Sequence, residues 1–155
     1  MATRPPIRTL LVDDNSVFCE DFRHYAQGLP GVEIVGEAGD GFMAVKRAAV
    51  LQPDLVLMDF GLPHLNGLEA MRKIRQTGTP VRIIIITAHV SNELQSLCLA
   101  EGADGYISKF QLCEDLPRLL EVLFPPTADS RVQVARIAPA SHASPKNTSG
   151  PAGGL

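Results

Sequence analysis

Five polar side chains, Asp13, Asp14, Asp59, Thr87 and Lys109, each follow an apolar run of strand length. Three carboxylates brought within a few ångströms of one another repel, and at least one tends to hold a proton. A divalent cation removes that repulsion. An oxygen-only site with few carboxylates suits Mg²⁺, a hard cation that keeps several of its waters. An anion beside that cation would meet the hydroxyl of Thr87 and the compact ammonium of Lys109. A nucleophilic carboxylate, a metal, a hydroxyl and a lysine together describe a phosphoryl-transfer site. The transferring group in that reaction needs charge neutralisation more than acid–base chemistry.

Taken singly, each residue has a plainer role. An Asp after a strand usually caps a turn or helix, and Thr87 is placed to do the same. A lone lysine is most often solvated surface, and Tyr106 on a short strand is most often packing. The weight lies in their joint occurrence at the ends of predicted strands.

Those residues meet only if their strands run parallel in one sheet. Asp54-Leu55-Val56-Leu57-Met58-Asp59 is a continuous apolar run ending on a carboxylate, the pattern of a strand covered on both faces. The turn Phe60-Gly61-Leu62-Pro63-His64-Leu65-Asn66-Gly67 follows, and Asn66-Gly67 opens a helix with Leu68, Met71 and Ile74 turned inward. Upstream, Ile7-Arg8-Thr9-Leu10-Leu11-Val12 reads as a buried strand ending at Asp13-Asp14. Asn15-Ser16 can cap the next helix. There Phe18, Phe22 and Tyr25 recur at helical spacing, and Gly28 is the stop. Residues 32–38 make a second strand. Asp40-Gly41 starts a helix through Leu51 with Ala44, Val45, Ala48 and Leu51 on its apolar face.

Residues 81–86, rich in β-branched side chains, make the clearest strand and end at Thr87. A helix over about residues 91–101 carries Leu94, Leu97 and Cys98 on one stripe, with Leu99 off it. Asp104-Gly105-Tyr106-Ile107-Ser108 is a last short strand ending at Lys109. The fifth helix carries Leu112, Leu116, Leu119, Leu120 and Leu123, with Pro117 inside the pattern. An interior proline costs about 3 kcal/mol. The regular helix is therefore expected to begin late, with Asp115 as cap and Pro117 in the first turn; a kinked longer helix is the alternative. Repetition of βα five times predicts an α/β, doubly wound five-stranded parallel sheet with helices on both faces. Chemistry in such sheets collects at the carboxyl ends of the strands.

The chain has 155 residues, 45% hydrophobic and 20% charged, which suits one well-cored domain. A net charge of −3 argues against a nucleic-acid footprint, which is normally basic. No apolar run approaches the about 20 residues that span a bilayer. Met1-Ala2-Thr3-Arg4-Pro5-Pro6 lacks an apolar signal core. These features imply a cytoplasmic protein with no membrane insertion and no direct nucleic-acid partner. Cys19, Cys98 and Cys113 are scattered and odd in number, and read as reduced structural thiols. After Phe124 the composition turns to Pro, Ala, Ser, Gly and Thr, too poor in large apolar residues to make a core. The expected organisation is an N-terminal extension at 1–6, one folded domain at 7–124 and a disordered tail at 125–155. Within the tail, Val132-Gln133-Val134 with Ile137 is the one stretch able to dock.

The sequence resembles the receiver domains of bacterial two-component response regulators, as in the chemotaxis protein CheY, over roughly residues 7–124. The motifs that carry the resemblance are Asp13-Asp14, Asp59-x-x-Leu62-Pro63-x-x-x-Gly67, Thr87-Ala88 and Tyr106-x-x-Lys109. The resemblance implies the flavodoxin-like, CheY-like fold and a phosphoacceptor at Asp59 that takes its phosphate from a histidine kinase or phosphotransfer protein. It implies Mg²⁺ held directly by Asp14, Asp59 and the backbone carbonyl of Gly61, with Asp13 acting through a water. Thr87 would bind a phosphoryl oxygen, and Lys109 would pair with the phosphate or with Asp59. Thr87 and Tyr106 would report phosphorylation to a partner-binding face made by the fourth helix, last strand and fifth helix. Val35-Gly36-Glu37-Ala38 with Asp40-Gly41 further resembles receivers that precede a helix-turn-helix output domain.

Three departures stand out. Many relatives carry proline after the lysine, on a cis peptide, where this chain has Phe110. A cis bond before a non-proline residue costs about 2.5–4 kcal/mol. The expectation is a trans bond with a displaced loop, or a strained cis bond. Gly61 puts no side chain beside the phosphoryl group; His89 either shields or orients water there, or is an exposed helix-start residue. The tail is shorter than the about 40 residues that usually fold unaided, so a stand-alone receiver is expected. Three rivals are a phosphorylation-independent adaptor, a haloacid-dehalogenase-type phosphatase and a flavin-binding protein of the same fold. The phosphatase looks for a second Asp two positions after the first, where this chain has Gly61. The flavin reading lacks a Ser/Thr-rich loop after the first strand.

Overall fold

The strand that ends on Asp59 lies at the centre of the molecule, and all five of its residues, Leu55–Asp59, are buried. The computed structural model describes residues 4–126. The strands are β1 (Ile7–Val12), β2 (Val32–Ala38), β3 (Leu55–Asp59), β4 (Arg82–Thr87) and β5 (Gly105–Ser108). They alternate with α1 (Ser16–Gln27), α2 (Gly41–Leu51), α3 (Gly67–Gln76), α4 (Asn92–Ala100) and α5 (Leu112–Leu123). All pairings are parallel, in the order β2-β1-β3-β4-β5. The chain thus moves outward from β1 to β2 and then crosses back to β3 on the other side. The carboxyl ends of β1 and β3 flank that reversal, where a doubly wound sheet opens a crevice.

Alternation along the strands divides the core in two. Leu10, Val12, Val56, Met58, Ile83 and Ile85 pack on one face with residues of α2, α3 and α4. Leu11, Leu55, Leu57, Ile84, Ile86 and Ile107 pack on the other with α1 and α5. Asp59 shares the parity of Leu55 and Leu57 and so belongs to the side of α1 and α5.

Side-chain caps fix where the helices start. Asn15 accepts the Val17 and Phe18 N–H groups, Asp40 that of Met43, and Ser91 that of Leu94. Asn66 and Glu69 form a reciprocal capping box on α3. Among the described residues no helix is long and apolar enough to cross a membrane. The tail from residue 127 onward, with Val132, Val134 and Ile137, lies outside the described residues.

Two expectations are corrected. Helix α5 begins at Leu112 rather than near Asp115, so the longer helix given as the alternative is the one found, with Pro117 inside it. Proline has no N–H for the carbonyl four residues back, here that of Cys113. The Tyr25 hydroxyl, from α1, donates to that carbonyl at 3.3 Å. On α4, Leu97 is as exposed as Leu99, both at 44%, and Cys98 is the buried residue. Leu94 and Cys98, four apart, form the inward stripe; Leu97 is turned roughly 100° from Cys98 about the helix axis. Of the alternatives at Lys109-Phe110, the trans bond is found, since no cis bond occurs among the described residues. The chain leaves β5 through a 3₁₀ turn, Lys109–Gln111.

Candidate functional site

The crevice at the carboxyl ends of β1 and β3 gathers three carboxylates and an ammonium. Asp13 follows β1 and is 3% exposed; Asp59 closes β3 and is 7% exposed. Asp14 is exposed beside them. One carboxylate oxygen from each of Asp13, Asp14 and Asp59 lies within 4.8 Å of the others. Lys109 Nζ enters from the end of β5, 2.6 Å from Asp13 Oδ2 and 3.4 Å from Asp59 Oδ1. The same ammonium sits 4.4 Å from the ring centroid of Phe18.

Backbone bonding holds these residues in place. Asp13 N–H donates to the Ala38 carbonyl of β2 at 3.0 Å, and Asp13 Oδ1 accepts the Asn15 N–H at 2.9 Å. After Asp59, Phe60 N–H donates to the Ile86 carbonyl and Gly67 N–H returns to the Phe60 carbonyl, both at 2.9 Å. A Cβ on Gly67 would stand 2.4 Å from the Asp59 carbonyl oxygen, so this close return admits only glycine. Gly61 differs: a Cβ there would meet only Asp59 Oδ2, at 3.8 Å. Glycine at that position leaves the mouth of the site open rather than relieving a clash.

Burial raises the Asp59 carboxyl above the ordinary carboxylate range. The charge of Asp13 raises it further, Lys109 pulls it down, and Asp14 adds a smaller upward push. Burial works against the charge on Lys109, but its bond to Asp13 and the charges of Asp59 and Asp13 outweigh this and leave it raised. Asp13 Oδ2 is buried without a hydrogen bond of good geometry. Its close approach to Lys109 is an ion pair, which satisfies the charge but not the directionality of the oxygen. An oxygen-only set with such an atom fits a hard divalent cation. Cys19 lies beneath, its Sγ 3.6 Å from the Asp13 carbonyl. Burial, and then the charge of Asp13, push its thiol up to about 11, which makes it a structural thiol.

Thr87 ends β4, one residue past Ile86, the register partner of Asp59. It is buried, accepts the His89 N–H at 3.1 Å and lies 3.3 Å from the His89 carbonyl oxygen. The Tyr106 hydroxyl donates to that same carbonyl at 3.4 Å. His89 is exposed, which fits the helix-start reading; its backbone is what joins Thr87 to Tyr106. Asp13, Asp14, Asp59 and Lys109 are therefore brought together, Gly61 abuts them, and Thr87 and Tyr106 meet through His89. The sequence reading missed Phe18 as a neighbour of Lys109. Helical spacing accounts for that ring as core, and only the topology brings the start of α1 beside the end of β5.

Residues 9–121 match the family described as the response regulator receiver domain. The chain is 41% identical over 103 residues to the response regulator UvrY of Escherichia coli K12, a span of 66% of this chain and 47% of that protein. It is 33% identical over 120 residues to the nitrate/nitrite response regulator protein NarL of the same organism, covering 77% of this chain and 56% of that one. The chain thus spans about half the length of the curated relatives it matches. Among solved structures, the signal receiver domain of a putative response regulator NarL from Mycobacterium tuberculosis superposes with a TM-score of 0.73 at 25% identity, covering 79% of this chain and 99% of that one. The response regulator domain of Thermotoga maritima CheB does so at 0.67 and 30% identity, covering 78% and 96%.

Proposed function

The chain belongs to the response regulator receiver domain family, and on that premise we propose that Asp59 accepts a phosphoryl group from a histidine kinase or phosphotransfer protein. The observation that carries this reading is a buried Asp59 with two further carboxylates and the Lys109 ammonium around it. An Asp59 oxygen attacks phosphorus; the O–P bond forms as the N–P bond of the donor phosphohistidine breaks and its electron pair returns to the imidazole. Asp14, Asp59 and the Gly61 carbonyl would hold Mg²⁺, with Asp13 acting through a water. Bound there, the ion would supply charge neutralisation for the transferring group. Lys109 and the Thr87 hydroxyl supply the remaining positive charge and donor.

The output is a change in protein binding. A Thr87 hydroxyl drawn toward the phosphoryl group leaves the His89 carbonyl, the acceptor that also holds Tyr106. The bias would pass to the face made by α4, β5 and α5, where an unidentified protein binds. The domain is a signalling module and not an enzyme for a separate substrate. We take residues 7–124 as the receiver domain, in the cytoplasm, with an extension at 1–6 and a tail at 125–155, and the domain as not contacting nucleic acid itself.

The position of Lys109 favours this reading over a phosphorylation-independent adaptor, because the ammonium reaches the acidic cluster without a proline after it. Gly61, two residues past Asp59, offers no general acid for a phosphatase. The test is labelling by acetyl phosphate with Mg²⁺. Wild type should gain one phosphoryl group and Asp59→Ala none; equal labelling of Asp59→Ala would refute the assignment.

A further inference from the structure

Among the described residues, Lys109 meets Asp13, Asp59 and Phe18 in the crevice, and Phe18 carries no charge. Asp13 and Asp59 face the ammonium with oxygens, and the Phe18 ring lies 4.4 Å away at its centroid. Phe18 is held through both its backbone and its ring. The Phe18 N–H donates to Asn15 Oδ1 at 3.1 Å, which fixes the first turn of α1. Its ring stacks on Phe22, with centroids 6.2 Å apart and planes at 23°. The next residue, Phe110, is tied only through its backbone, its N–H donating to Ser108 Oγ at 3.1 Å, and at 82% exposure its ring packs little of the loop.

We propose that Phe18 is a positioning residue for the phosphoryl site, its ring face keeping the Lys109 ammonium within reach of Asp59. The proposal rests on the reading of Asp59 as phosphoacceptor. Both carboxylates that hold Lys109 would also serve a hard cation, Asp59 directly and Asp13 through a water. Such a cation takes oxygens and leaves an aromatic ring alone. The face of the ring attracts an ammonium electrostatically, most strongly where water is excluded. Phe18 is thus a partner of Lys109 that does not change hands when the acidic cluster is filled.

The contact and its consequence are read separately. In protein without phosphodonor, the Lys109 ε-methylene proton resonance lies upfield under the ring current and moves downfield in Phe18→Leu. An unchanged resonance overturns the contact. With acetyl phosphate and Mg²⁺, Phe18→Leu lowers the labelling rate by about three- to tenfold. Phenylalanine carrying one, two and three ring fluorines at position 18 keeps the shape of the core and drains charge from the ring face. It lowers the rate stepwise, and this series decides the matter if Phe18→Leu does not fold. In a Lys109→Ala background the fluorine series is flat. A flat series in the wild-type background, or an equal slope without Lys109, means that Phe18 is only a core residue. A wild type that takes no label refutes the phosphoacceptor reading and the positioning role with it, while the resonance shift still decides the contact.

Discussion

Lys109 is paired more closely with Asp13 than with Asp59: its Nζ lies 2.6 Å from Asp13 Oδ2 and 3.4 Å from Asp59 Oδ1. Asp13 is the more deeply buried of the two carboxylates. The Lys109 ammonium therefore goes to the more enclosed charge, and the carboxylate read as the nucleophile is left partly unanswered. The resting site is poised to receive positive charge.

Removing the ammonium should expose that dependence. Lys109→Met leaves Asp13 buried without a counter-charge, which costs about 3 kcal/mol in such pairs. Urea unfolding in metal-free buffer should show this loss, and adding Asp13→Asn should recover most of it. Single and double variants of equal stability would show that the pair contributes nothing.

The raised Asp59 carboxyl makes stability depend on pH. The folded chain holds this proton more tightly than the unfolded chain, whose Asp titrates near 3.8. The resulting stabilisation is complete below that value and is lost as the pH rises through the folded pKa. Above it, the Asp59 charge opposes folding. Asp59→Asn should therefore unfold at higher urea than wild type at neutral pH without metal, and the gap should close on acidification toward pH 3.8.

Gly67 sets the distance between the end of β3 and the start of α3. Gly67→Ala would drive a methyl group against the Asp59 carbonyl oxygen and Phe60 Cα, at 2.4 and 2.9 Å. Overpacking of this kind costs about 1–3 kcal/mol. Thermal unfolding should register that loss, together with slower acetyl phosphate labelling, since the displaced backbone carries Asp59.

The Tyr25 hydroxyl stands in for the N–H that Pro117 lacks. Tyr25→Phe should cost about 1 kcal/mol, the usual net worth of a hydrogen bond. In a Pro117→Ala background the new N–H can take the Cys113 carbonyl, so Tyr25→Phe should cost less than half as much. Equal costs in both backgrounds would mean that the hydroxyl does not compensate for the proline.

Most of the fold was legible because each strand carries its own signal. The run from Leu55 to Asp59 reads as a fully covered strand, and all of it is buried. Caps such as Asn15, Asp40 and Asn66 mark helix starts through local chemistry. The clustering of Asp13, Asp14, Asp59 and Lys109 followed from parallel topology, since strand ends then share one edge. What escaped depends on contacts between distant segments. Pro117 sits inside α5, where a tyrosine 92 positions earlier in the chain, Tyr25, answers the orphaned carbonyl. Leu97 is exposed because α4 turns only Leu94 and Cys98 inward, which apolar identity alone does not reveal. The pairing of Phe18 with Lys109 joins the first helix to the last strand and leaves no trace in local spacing.

In the proposed function, the carboxylates at 13, 14 and 59 hold a divalent cation so that Asp59 can carry a phosphoryl group. ¹⁹F NMR of the protein with beryllofluoride, a phosphoryl mimic, measures this most directly. Bound resonances are expected only with Mg²⁺ present, lost on adding EDTA and absent in Asp59→Asn and Asp14→Asn. Bound resonances without Mg²⁺, or undiminished in Asp59→Asn, would contradict that function.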